Sequence, residues 1–515
     1  MASTFHSIET AKRSLFTQTT ALNTTGHNIS NANTEGYSRQ VVNMKAASSI
    51  EAFGVNRSNA PGQLGTGVEF SNIERIRESF LDAQFREENS IKSGWDIQLG
   101  TLEKLQTIFN EPSDSGIRTV MQNFWNSWSD LSKDPENITA RTIVKENALA
   151  LTDAFNQISR QLGQLQNDLT SNVEMKAGEV QNHLTSIADL NRSIAKIEGL
   201  GDNANDLRDQ RDLLTDKLSK IIGITVANGE QGYSISMGGQ ILVEGFEVAA
   251  TVNGATLTAA FAGGGLTGGE VYGMLRSRDV YVSDYTQKLD LLARTMAEGD
   301  VKMTLPKGSV LPEGTVLDGV TYTGVSRVLT EDIQVTVKGL NGLHQLGYSM
   351  QNGPDGKPLT GPPFFSASGG SSLITAGNIS LNSTILDNPA LIATSLKTSG
   401  DGSVVKGNNT LALLMSKLNT GKFNVGTSGT LDSAYAALIG QLGVQTQEAA
   451  RQADNSNSLL TQVDMRRQSV SGVSLDEEMS ELLKFQHAYN AAARFMTTFD
   501  ELLNKLITGT GVVGR

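Results

Sequence analysis

The chain holds no cysteine, so disulfides, thiolate nucleophiles, zinc-finger sites and iron–sulfur clusters are excluded for want of atoms. Long hydrophobic runs are missing as well: no stretch approaches the roughly 18 uninterrupted apolar residues of a membrane span, and membrane insertion is not expected. Cationic excess is absent. The 42 Lys and Arg stand against 54 Asp and Glu, a formal net charge of -12, and no basic run is dense enough to track a phosphate backbone. Nucleic acid is therefore not an expected partner. The opening MASTFHSIETAKRSLFTQTTALN is amphipathic and polar, without the apolar core and small-residue cleavage site of a secretory signal. A product that leaves the cell is expected to do so by a route that removes nothing. At 515 residues the chain is long enough for several domains, stabilised by packing alone.

What is present is organised around the two ends. Ile8, Leu15, Leu22 and Ile29 recur every seven residues, with Ala11, Gln18 and Thr25 between them, which reads as a heptad seam of unusual polarity. Leu475, Leu482, Tyr489, Met496 and Leu503 repeat the spacing at the other end, flanked by a broader apolar stripe. Ser474 and Glu477 have the spacing of a capping box, which places the start of that helix at Ser474, with Asp476 and Glu478 complementing its dipole. Nine seam side chains cannot offset the entropy of ordering two long helices. No third segment is evident to cover the pair, so both ends are expected to fray in the monomer and to be completed by neighbouring copies.

Between the ends, apolar residues from Leu151 through Phe155, Leu162, Leu169, Val180 and Ile187 to Ile197 fall at intervals of three and four, predicting one helix from about Ala140 to Ile197, on the order of 80 Å long. After Ile221 the pattern alternates between Gly-containing turns, predicting a strand meander that extends through ATLTAAFAGGG. Helical spacing returns in VYGMLRSRDVYVSDYTQKLDLLARTMAEG. It then gives way to a β-rich insertion carrying two LPxG copies, Leu305 to Val310 and Leu311 to Val316. The fold class expected is α+β, elongated and multidomain, with a terminal α-helical coiled coil, a helical-bundle middle and β-rich inserted outer domains. In segments, 1–60 and 471–515 form the coiled-coil halves, 61–222 the bundle, 223–270 a β-rich outer domain and 271–300 a further bundle helix. Residues 301–339 form the insertion, and 340–470 the connector and return helices.

Chemistry-bearing residues do not assemble into a reaction centre. His6, His27, His183, His344 and His487 are scattered without paired ligand spacing and read as satisfied surface or interface histidines. Adjacent Asp476, Glu477 and Glu478 point around a helix rather than converging, so capping outweighs a paired-acid reading. Trp125 and Trp128, beside Phe124 and Leu131, fit an aromatic core stripe better than a sugar-stacking surface. Gly263 to Gly265 and Gly268 to Gly269 lack the ending of a phosphate loop and read as a hinge. No catalytic, cofactor or metal site is expected.

Asn28 to Gln40, NISNANTEGYSRQ, closely resembles the N-terminal signature of flagellar axial proteins, and its Tyr-Ser-Arg-Gln ending resembles their hook-associated branch. Ser474 to Ile507 resembles the other end of the same proteins. NDLRDQRDLLTDKLS at Asn205 to Ser219, GGEVYGMLRSRD at Gly268 to Asp279, and LNGLHQLG with GPPFF between Leu340 and Phe365 narrow the likeness to the hook-associated protein 1 family of the hook–filament junction. Against that family pattern, Asp300 to Gly339 stands as an insertion. The resemblance implies an extracellular flagellar subunit, exported unfolded without signal cleavage and polymerised as a ring or helical oligomer at the distal hook end. Its implied partners are hook protein, a second junction protein and a cytoplasmic export chaperone on the C-terminal helix. Asn28, Asn31, Asn33, Gly36, Tyr37, Arg39 and Gln40 carry the signature, and the nine heptad residues are the expected assembly interface. Another axial subunit, hook, rod or second junction protein, is the alternative. A non-flagellar coiled-coil adhesin is a further one.

Overall fold

The computed structural model describes residues 5–49, 64–113, 116–229, 232–354, 356–400, 402–425 and 427–509. The order of elements begins α1 (His6–Asn31), β1 (Gln40–Ala46), β2 (Val68–Arg75), α2 (Ser79–Phe109), α3 (Ile117–Leu131), α4 (Ile138–Glu198) and α5 (Asn205–Ile221). A meander of β3 (Thr225–Gly229), β4 (Gly232–Met237), β5 (Gln240–Glu244) and β6 (Glu247–Val248) follows, then α6 (Gly254–Ala262), α7 (Glu270–Arg276) and α8 (Ser283–Glu298). The turn between α7 and α8, Ser277–Val282, is π-helical. Next come β7 (Asp300–Leu305), β8 (Thr315–Leu317), β9 (Val320–Tyr322), β10 (Ile333–Lys338) and α9 (Gly339–Gln345). Short strands and turns lead to α10 (Thr410–Lys417), β11 (Phe423–Val425), β12 (Thr427–Gly429), α11 (Leu431–Ser471) and α12 (Leu475–Gly509).

The chain divides into two compact units. The first unit comprises 1–94, 174–272 and 453–515, and so holds both chain ends together with the meander. The meander, expected from sequence as an outer domain of its own, packs in that unit as a four-stranded antiparallel sheet in the order β3-β4-β5-β6. Its alternation is the reason: Tyr233, Ile235 and Met237 on β4 point inward and are buried, while Ser234 and Ser236 are not. The segment Gly254–Ala262, read as strand, is a helix. Asn253 caps it, accepting from the Thr256 amide at 2.9 Å while the Thr256 hydroxyl accepts from the Asn253 amide. Alanine-rich composition in ATLTAAFA favoured helix over the local polar/apolar alternation.

The second unit comprises 95–173 and 273–452. Its core joins Phe124 and Trp128 of α3 to Phe364, Phe365 and His344, with the Phe124 and Trp128 rings 6.4 Å apart edge-on and Trp128 5.5 Å from Phe364. The two tryptophans are core residues. In the 301–339 segment β7 and β10 pair antiparallel, and β11 and β12 extend their sheet in the order β10-β7-β11-β12. The two LPxG copies build the same turn. Gly308 and Gly314 have φ of +80° and +78°, and the Ser309 and Thr315 hydroxyls each donate 2.7 Å to the carbonyl of the proline three residues back.

Helix α4 agrees with its predicted stripe: Leu151, Phe155, Leu162, Leu169, Val180 and Ile187 are buried, and only the terminal Ile197 is partly exposed. Among the described residues no helix is long and apolar enough to cross a membrane.

Candidate assembly site

Helices α1 and α12 lie alongside one another, the end of α1 meeting the start of α12. The buried face of α1 is small and polar: Ala11, Thr17, Gln18, Ala21, Thr24, Thr25 and Asn28. The heptad residues Ile8, Leu15, Leu22 and Ile29 are only half-buried. The buried positions of α1 thus lie one step around from the apolar heptad, on the small and polar residues between its members. On α12, Leu482, Met496 and Leu503 are half-buried and Leu475 and Tyr489 exposed.

A third element does cover part of the pair, contrary to the sequence expectation. The β1–β2 hairpin packs on α1, with the Thr17 hydroxyl donating 3.3 Å to the Val68 carbonyl and the Arg13 guanidinium donating 3.1 Å to the Thr66 hydroxyl. Hydrophobic surface is still left over. Leu475, Met479, Leu483, Phe495, Leu502, Leu506 and Ile507 of α12 are exposed, as are Phe5 and Phe16 at the other end.

The signature loop knots these elements together. Asn28 is buried; its amide nitrogen donates 2.9 Å to both the Gln40 carbonyl and the Glu478 carboxylate. Its oxygen accepts from the Tyr37 hydroxyl at 2.8 Å and the Gln40 amide at 3.0 Å, so both polar atoms of the side chain are used twice. Arg39 donates 2.6 Å to Glu478 and 2.8 Å to Glu477, and its backbone amide donates to the Ser471 carbonyl. Gln40 reaches Asp206 at 2.7 Å. Ser38 donates its hydroxyl and its amide to Asp209 at 2.8 and 2.9 Å. Gly36 turns the chain at φ +81°, where a Cβ would sit 3.0 Å from that of Leu213. Asn31 donates back to the His27 carbonyl and accepts from Thr34, closing α1, while Asn33 lies exposed in the turn.

Three sequence readings change with the structure. Ser474 does cap α12, accepting from the Glu477 amide at 3.5 Å, but the Glu477 carboxylate turns to Arg39 rather than back to the cap. Glu478, read as a dipole-complementing acid, is 2% exposed and is the buried anchor for Asn28 and Arg39. His344 is likewise no surface residue but fully buried.

Beneath the loop lies a charge cluster that the sequence reading left as a family match. Arg75 donates 2.7 Å to Asp209 and lies 2.8 Å from Asp212. Arg77 grips Asp82 with two bonds of 2.7 and 3.0 Å, and Asp216 receives Arg86 and Arg467, each at 2.6 Å. Burial works against the charge on Arg77, but Asp82, Asp212 and Asp216 outweigh it and raise its proton affinity above the usual arginine range. Burial likewise opposes ionisation of Asp212, yet Arg77, Arg75, Arg211 and Arg86 hold its carboxyl below the usual range. Tyr37 is shifted up by burial and by Asp206, Asp209 and Glu478, and stays a neutral donor to Asn28. The signal was in the sequence as acids on one stripe of α5, Asp209, Asp212 and Asp216, opposite Arg75 and Arg77.

Comparison with known proteins gives this geometry a family. The model of the flagellar hook-associated protein FlgK helical domain matches residues 102–299, the flagellar basal body rod FlgEFG protein C-terminal model matches 467–508, and the flagella basal body rod protein model matches 8–37. Flagellar hook-associated protein 1 of Bacillus subtilis (strain 168) is 34% identical over 533 residues, covering 100% of both chains. The protein of that name from Escherichia coli (strain K12) is 27% identical, covering 95% of this chain and 96% of its own. In fold, the chain is similar to the flagellar hook junction protein FlgK from Burkholderia pseudomallei, with a TM-score of 0.51 at 17% identity over 76% of this chain and 100% of that one.

Proposed function

Because the chain belongs to the flagellar hook-associated protein 1 family, a family of structural axial components of the flagellum, we propose that it forms the junction between hook and filament. In this reading the subunit is exported unfolded, without signal cleavage, and polymerises as a ring or helical oligomer at the distal hook end. Hook protein lies below it and a second junction protein above.

The observation that carries the reading is the half-covered terminal pair. Leu483, Phe495 and Leu502 remain exposed on a helix that is already packed on α1 along another face. An apolar surface of this kind on an extracellular subunit is completed by copies of itself. The nine heptad residues, half-buried or exposed in the single chain, are the proposed assembly contacts. Before export the same surface needs cover, which fits a cytoplasmic chaperone on the C-terminal helix.

The alternative axial readings draw on the ends alone, since the rod-protein models match only 8–37 and 467–508. The helical-domain match over 102–299 favours the junction subunit. The deciding experiment is a null strain examined by electron microscopy. Hooks without filaments, with flagellin shed into the medium, support the junction role; filaments of normal number on complete hooks refute it.

A further inference from the structure

A cavity of about 540 Å³ lies within the unit that holds the chain ends, walled by the end of β2, the first turns of α2, the C-terminal part of α4, α5 and the meander. Five arginines line it, Arg75, Arg77, Arg86, Arg208 and Arg211, against three carboxylates, Asp82, Glu198 and Asp212. Most of these cations are spoken for. Arg75 and Arg77 meet carboxylates at 2.7 to 2.8 Å, and Arg208 makes a two-bond fork with Glu198 at 2.6 and 2.8 Å.

Arg211 is the exception. It is 8% exposed; its Nη1 reaches only the neutral amide oxygen of Asn191, at 3.2 Å, and its Nη2 stays 3.8 Å from Asp212. Among the described residues its buried Nε has no hydrogen-bond partner, nor has the buried Nη2 of Arg86, which stands 3.7 Å from Asp212. The Arg211 guanidinium lies 3.7 Å over the Tyr233 ring, which holds the group flat. A buried donor on a charged group is costly to leave unmade. Burial lowers the proton affinity of Arg211, Asp212 and Tyr233 oppose it only in part, and Arg75 and Arg208 add to it.

We propose that this cavity is a binding site for a small oxyanion of the phosphate type, held chiefly by Arg211. A planar guanidinium presents parallel N–H donors that match two oxygens of such an ion, and the surrounding arginines, largely engaged by carboxylates, raise the local potential while competing little for it. The bound ion joins the meander to α5, and α5 carries Asp209, the acceptor for Ser38 of the signature loop. Occupancy therefore stiffens the base on which the terminal helices are seated.

The test is titration of the purified full chain with inorganic phosphate at constant ionic strength, by calorimetry and by ³¹P line width. One saturable site per chain is expected, with Tm rising on the order of 5 °C at a hundredfold excess over Kd. Arg211→Gln and Arg211→Lys, each checked for native circular dichroism, are expected to weaken binding at least tenfold, the lysine because it keeps charge but loses the fork. Absence of saturable phosphate binding by the wild-type chain overturns the proposal whether or not the variants fold. Unchanged affinity in both folded variants overturns it as well.

Discussion

The Asn28 side chain donates 2.9 Å to the Glu478 carboxylate, joining the end of the first helix to the start of the last across 450 residues of sequence. Asn28 also serves Gln40 twice and Tyr37 once, so its removal orphans several buried groups at once. Asn28→Ala is expected to cost about 2–4 kcal/mol in the stability of the terminal pair. Amide hydrogen exchange is the measurement: the Gln40 amide and the first turns of α12 should exchange much faster, while the aromatic core around Trp128 is unchanged. Undiminished protection at Gln40 would show that the knot does not hold the ends.

Gly36 separates two costs that usually travel together. Its φ of +81° disfavours any L side chain, and Leu213 stands where a Cβ would go. Gly264 has a similar φ of +74° but nothing within 4 Å. Gly264→Ala should therefore cost only the left-handed penalty of about 1–2 kcal/mol, and Gly36→Ala should cost more. Urea midpoints of the two variants compare them; equal losses would mean that Leu213 moves aside freely.

Much of this was legible in the sequence, and the reasons are physical. The stripe from Leu151 to Ile187 marked α4 because each of its residues had to face a core, and Ser474 marked the start of α12 because an orphan amide needs a partner. The signature residues were found, but not what they do: Asn28 and Glu478 meet only through tertiary structure, and no local pattern joins positions 450 apart. On α1 the heptad Ile and Leu residues are half-buried in the single chain, whereas the small and polar Ala11, Ala21 and Thr25 between them are buried, a difference that spacing alone does not reveal. The charged α5 residues stood out only as a family match, because Arg75 and Arg77, which pair with them, lie on a distant segment of the chain.

His344 gives the second unit a pH dependence. It is fully buried, donates from Nδ1 to the Pro362 carbonyl at 2.5 Å and accepts the Ala393 amide on Nε2 at 2.8 Å, which fixes the neutral tautomer. Burial pushes its pKa down to about 4, with nearby Arg141 adding to the shift. The unfolded histidine titrates near 6.5, so between the two values the unfolded state binds more protons. Stability is full above pH 6.5 and falls as pH drops toward 4, by about 3 kcal/mol from this group. Unfolding followed by tryptophan fluorescence at pH 8 and pH 5 measures it, and His344→Asn should flatten the difference.

Truncation after Ser474 is a poor test of the terminal interface, because it also removes Glu478 from the buried knot. Point substitutions on the exposed side of α12 separate assembly from folding. Leu483 is 50% exposed and Phe495 44% exposed, so Leu483→Glu and Phe495→Glu should change monomer stability by no more than about 0.5 kcal/mol. In the assembled state each would bury a carboxylate against a neighbouring copy, at a cost far above the gain it replaces. The double variant should therefore keep native circular dichroism and the protease pattern of the wild type, yet fail to restore filaments to a null strain. Secretion of the variant into the medium at wild-type level distinguishes failed assembly from failed export. Normal filaments from the double variant would place the contact elsewhere and leave the exposed stripe of α12 without its proposed role.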